Sequence, residues 1–146
     1  FVKTNMLYGW VRRLDSITKK EKYNCDGKCV PVVETMEKYY ADIAKNFGLS
    51  VEIIEGGGSG AHFADLLEGK INLILLPWDD SKEWDIAMAA PLVKARGGFL
   101  CDFEGQEYTY NRNNVCNRKG YVASLVFQKK DVLKNLSPDM VLRKSL

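Results

Sequence analysis

Residues 71–76 read INLILL, with five branched aliphatic side chains in six positions, closed on one side by Gly69-Lys70 and on the other by Pro77. A half-buried strand alternates apolar and polar residues, whereas a near-continuous apolar run of this length, broken only by Asn72, marks a strand covered on both faces. Such a strand requires a layered fold, with other elements packed above and below it. The rest of the chain offers those elements. In residues 35–47 the apolar positions Met36, Tyr39, Tyr40, Ile43 and Phe47 recur at three- and four-residue steps, and Gly48 follows as a terminator, so the spacing predicts a helix. LSVEIIE reads as a strand, GGGSG as a loop, AHFADLLEG as a short helix, GFLCDF as a strand, YVASLVF as a further strand and KKDVLKNL as a closing helix stopped by Ser137-Pro138. Residues 6–14 and 30–33 have strand-like content and flank a polar loop with a turn at Asp26-Gly27. Alternation of this kind predicts an α/β layered sandwich with a mostly parallel or mixed sheet, forming a single domain over residues 1–146.

The 146-residue length suits one domain with a real core. A net charge of +2, with basic and acidic residues interspersed, gives no footprint for nucleic acid or an anionic membrane. No apolar run approaches the roughly 20 residues that cross a bilayer, and the mixed N-terminus lacks the apolar centre of a signal peptide. Cys25, Cys29, Cys101 and Cys116 are dispersed; CDGKC is half a zinc motif without its second half, and His62 is remote in sequence. The expectation is a cytoplasmic protein with free thiols. Its first residue, Phe1, suggests a processed product or a fragment.

The segment SKEWDIAMAAPLVKARGG, residues 81–98, places Glu83 and Asp85 around a tryptophan at the start of a predicted helix. Asp80 or Ser81 would cap it, and carboxylates in a first turn are favoured by the free amides and the helix dipole. Trp84, Ala87, Met88, Pro91, Leu92 and Ala95 form the expected buried stripe. Pro91 requires either a kink or a helix whose first turn begins later.

The run EWDIAMAAPLVKARGGFLCDFEGQEYTYN, residues 83–111, resembles the C-terminal motif of the inositol monophosphatase superfamily of magnesium-dependent phosphomonoesterases. Trp84, Asp85, Ala87, Leu92, Val93, Gly97, Gly98, Asp102 and Gly105 follow its spacing without a gap. Upstream, GSGAHFADLLEGKINLIL is similar to the family's glycine-serine loop, helix and strand. The likeness covers residues 30–136 as a family-like core; residues 1–29 match poorly. It implies the C-terminal half of the sugar-phosphatase fold, with Asp85 as a catalytic Mg2+ ligand. Gly58, Ser59 and Gly60 would offer backbone amides to a small phosphorylated substrate, while Asp79 and Glu83 would contact its hydroxyls or support the ligand shell. His62 stands where nucleotidases of the superfamily place a substrate-binding lysine.

In that family, bound magnesium ions activate water for attack on phosphorus, which takes several converging carboxylates. The family's Glu-Asp pair and its Asp-Pro-x-Asp-Gly-Ser/Thr loop are both missing from this sequence. The resemblance therefore implies a phosphatase portion that works with a complementary chain or a second copy, and is inactive alone. The alternative is a non-catalytic binding or assembly module built on the same fold.

Overall fold

A computed structural model describes residues 6–9, 42–43, 45–47, 50–51, 58–77, 79 and 81–141. Its strands are β1 (Met6–Gly9), β2 (Ser50–Val51), β3 (Leu73–Leu76), β4 (Phe99–Cys101) and β5 (Tyr121–Ser124). Helices are α1 (Ser59–Leu67), α2 (Glu83–Ala87), α3 (Ala89–Ala95) and α4 (Lys129–Leu133), with a 3₁₀ turn at Pro138–Met140. Residues 42–43 and 45–46 are helical, within the helix that the sequence predicts for residues 35–47. Phe47 is a turn residue; residues 35–41 and 44 of that helix, the segment 10–34 with its expected strand 30–33, and Cys25 and Cys29 lie outside the described residues.

All five strands join one sheet in the order β2-β1-β3-β5-β4. β1 runs parallel to β2 and to β3, whereas β5 is antiparallel to both β3 and β4. The sheet is therefore mixed, one of the two arrangements expected, and it is not mostly parallel. The cause is the link between β4 and β5. A helical crossover returns the chain in the same direction, so β3 and β4, joined through α2 and α3, point the same way. Residues 102–120 contain no helix and bring β5 back between them, antiparallel to each.

INLILL is covered on both faces, as its composition predicts. Ile74 and Leu76 pack with Phe63, Leu66, Ile86, Val93, Leu100 and Tyr121, while Leu73 and Leu75 face the opposite layer with Cys101, Phe103, Val122 and Val132. Every residue of β3 is buried. Each aliphatic side chain so buried contributes roughly 1.5–3 kcal/mol relative to exposure.

The stripe expected on residues 84–95 is the wrong face. Trp84, Met88 and Leu92 are 63%, 67% and 52% exposed, and Ile86, Ala89 and Val93 are the buried set. One helix was expected where there are two, meeting at Met88, which ends α2 and starts α3. The break accommodates Pro91, which falls in the first turn of α3, where an N–H has no intrahelical partner. The glycine pair closes α3: Gly97 takes φ +77°, and Gly98 lies against β5 so closely that a Cβ there would meet the Ser124 carbonyl oxygen and the Leu125 side chain.

Candidate functional site

β1, β2 and β3 point in one direction, and the strand order reverses at the β1–β3 boundary because β2 lies on one side of β1 and the later strands on the other. In open α/β sheets the crevice outside the carboxyl ends of strands at such a switch point is where ligands bind. Pro77, Asp79 and the start of α2 follow the carboxyl end of β3. Tyr121, at the opposite-running start of β5, pairs with Leu76 and fixes the residues just before it at the same edge.

Asp85 joins two segments at this edge. Its Oδ1 accepts a hydrogen bond from the Ser59 hydroxyl at 3.2 Å, and its Oδ2 accepts one from the Lys82 backbone N–H at 2.7 Å. Lys82, with extended backbone, is the N-cap of α2, so the carboxylate closes the helix start from within. The sequence expected Asp80 or Ser81 to cap; the N-cap is Lys82, whose N–H is taken by Asp85 reaching backward, and Asp80 lies outside the described residues. Ser59 opens α1, whose N-cap is Gly58; the Gly58 carbonyl accepts from the Ala61 and His62 amides. The glycine-serine loop and the Trp-Asp motif, 26 residues apart, thus meet through one side-chain pair. A carboxylate offers about four lone-pair positions, so two hydrogen bonds leave Asp85 capacity for a cation.

Glu83 is engaged elsewhere. Its Oε1 accepts from the Arg112 backbone N–H and from Arg112 Nε, both at 2.8 Å, and its Oε2 accepts from the Asn111 N–H at 3.1 Å. These bonds, the Arg112 amide first, hold the Glu83 carboxyl below the usual carboxylate range. Arg112 reaches on to Asn117 Oδ1 at 2.7 Å and lies 4.9 Å from the centre of the Tyr108 ring. Asn117, fully buried, in turn donates to Ser81 Oγ and the Lys82 carbonyl. Glu83 is therefore the tie between the start of α2 and the 108–117 loop. Nothing in the spacing of NRNNVCN, residues 111–117, marked Arg112 and Asn117 beforehand, since their partners at the start of α2 lie 29 to 36 residues away.

Arg112→Ala should release this loop, read as faster amide exchange at residues 111–117 while exchange in β3 stays slow. Because the Glu83 carboxyl is lowered, its contribution is complete above the ordinary carboxylate value of about 4.3 and is lost as pH falls through the folded value. The Arg112 Nε–H resonance should accordingly shift only in acid below that value, and an unchanged resonance there would show the tie to be absent.

Among the other residues singled out, Gly58 and Gly60 are exposed and Ser59 is half-buried, whereas His62 is buried on α1. Asp79 is 4% exposed and lies 3.4 Å from Arg118 Nη1 through its Oδ2. It lines a cavity of about 730 Å³ with Phe103, Glu104, Arg118, Lys119 and Pro138. Asp102 is buried and spends its Oδ1 on the amides of Glu104 and Gln106, which makes it a turn residue. Among the described residues no three His, Cys, Asp or Glu side chains converge as a metal site, so these residues do not by themselves complete a magnesium centre. Nor is any described helix long and apolar enough to cross a membrane.

The described residues thus place a helix-capping carboxylate and Gly58-Ser59 side by side on a mixed α/β sheet. The chain is similar to inositol monophosphatase 3 of zebrafish (Danio rerio), at 25% identity over 144 residues, covering 89% of this chain and 40% of that protein. It thus spans well under half the length of the relative it matches. No protein-family model matches.

Proposed function

We propose that the chain is part of a magnesium-dependent phosphomonoesterase acting on a small phosphate ester, with Asp85 as one metal ligand and the Gly58-Ser59-Gly60 loop beside the substrate. The observation that carries this reading is the Ser59–Asp85 hydrogen bond, which joins the two motifs the family uses at one place on the carboxyl edge of the sheet. Similarity to a phosphatase over 89% of the chain supports it. The hard, oxygen-only character of a carboxylate suits Mg2+, which would supply a Lewis acid and charge neutralisation. The remaining metal carboxylates come from outside the described residues, on a complementary chain, a second copy or further sequence. Asp79, Glu83 and His62 support the site through its framework, and the unpaired thiols suit a cytoplasmic setting.

A second reading, a non-catalytic assembly module, is favoured by one observation: Trp84, Met88 and Leu92 stand exposed at four-residue steps along α2 and α3. Phosphate release from a panel of small phosphomonoesters separates the two. A protein joining this chain to a region with the Asp-Pro-x-Asp-Gly-Ser/Thr loop should release phosphate only with magnesium, and the chain alone should release none. Absence of release from the joined protein would leave the assembly module.

A further inference from the structure

Lys82 and Cys116 face each other across a single antiparallel bridge. The flanking bonds run from Glu83 N–H to the Val115 carbonyl at 2.9 Å and from Asn117 N–H to the Ser81 carbonyl at 2.7 Å. Lys82 and Cys116 are thus the pair without mutual backbone bonds, the position at which opposite side chains come nearest. Lys82 Nζ lies 2.9 Å from Cys116 Sγ. Both backbones are held independently of that contact. The Cys116 N–H donates to Asn114 Oδ1 at 3.0 Å, its carbonyl accepts from Arg112 Nη1 at 3.2 Å, and the Lys82 carbonyl accepts from Asn117 Nδ2 at 2.9 Å. The amine and the thiol are therefore positioned by the fold, and Cys116 is only partly covered, within reach of small solutes.

We infer that Lys82 and Cys116 form an oxidation-dependent covalent cross-link, a modification site for hydrogen peroxide. The Cys116 thiolate attacks one peroxide oxygen; the O–O bond breaks, hydroxide leaves as water after taking a proton, and the sulfur, oxidised by two electrons, carries a hydroxyl as sulfenic acid. The Lys82 amine then attacks that sulfur. An S–N bond forms, the S–O bond breaks, and a second water departs with a proton from nitrogen. The sum is Cys–S⁻, Lys–NH3⁺ and H2O2 giving Cys–S–NH–Lys and two waters, with no further oxidant. A thiol reverses the link by attacking sulfur and returning the amine.

Cys101 is the internal contrast. It is fully buried in the sheet, and burial pushes its thiol up to about 11, so it offers neither access nor thiolate. The link, by contrast, would fasten the 112–117 loop to the N-cap of α2, the segment whose amide holds Asp85. The inference does not depend on the phosphatase reading.

The test is peptide mapping of the folded chain after graded hydrogen peroxide, with Cys25 and Cys29 replaced by serine to remove competing thiols. The expected result is a joined pair of peptides containing Lys82 and Cys116, lighter than their sum by about 2 Da and separated again by dithiothreitol, while Cys101 stays unmodified. In Lys82→Arg the link should vanish and a sulfenic acid trappable by dimedone should appear at Cys116. Sulfinic acid at Cys116 without a Lys82 link, no reaction at Cys116, or oxidation of Cys101 at an equal rate would each overturn it. Mapping of the parent protein stands even where a variant folds poorly.

Discussion

Asp85→Asn in the protein that contains this chain is expected to reduce magnesium-dependent phosphate release by about a thousandfold, because a metal ligand contributes several kcal/mol of charge stabilisation. The substitution isolates charge from shape. An asparagine carbonyl can still accept the Lys82 N–H that Asp85 now takes at 2.7 Å, and its amide can still reach the Ser59 hydroxyl. The cap of α2 and its joint to α1 thereby both persist, and the melting temperature should move by no more than a few degrees. Steady-state rates and a thermal melt on the same preparation check the two halves. Retained activity would confine Asp85 to helix capping, and a large loss of stability would make any loss of activity uninformative about the metal.

Gly98→Ala should be among the most destabilising single changes to the described fold. Its Cβ would be driven into the Ser124 backbone oxygen and would lie 2.6 Å from Leu125 Cδ2, and β5 is the strand that β3 and β4 share. Backbone cannot yield there without loosening both pairings. The cost is about 3 kcal/mol, roughly a 10 °C fall in melting temperature for a chain of this length. Gly97→Ala is the comparison: its φ of +77° strains an alanine, yet no atom lies within 4 Å of a Cβ there, so the cost is about 1 kcal/mol. Equal effects at the two positions would mean that helix termination, not contact with β5, explains the pair.

The burial of β3, the helix after the glycine-serine loop and the strands at residues 99–101 and 121–124 were legible because each follows from local composition. The direction of β5 was not, since a strand's polarity depends on whether its connection crosses over, and residues 102–120 carry no periodic pattern to decide that. The inward face of residues 84–95 was misread because two faces carry apolar residues at helical spacing: Trp84, Met88 and Leu92 are one, Ile86, Ala89 and Val93 the other, and the second faces the core. At the site, the sequence marked both carboxylates of the EWD motif and could not divide their work. Glu83 is committed to Arg112 and Asn111, partners whose distance in sequence exceeds any local signal, while Asp85 faces Ser59.

The most direct test of the account is where a divalent cation binds. Crystals of the protein containing this chain, grown with Mn2+ in place of Mg2+, should show an anomalous peak about 2.2 Å from a carboxylate oxygen of Asp85, with the Ser59 hydroxyl still in its neighbourhood. A peak bound only by other residues, with Asp85 still engaged solely by Ser59 and Lys82, would contradict the assignment of Asp85 as a metal ligand.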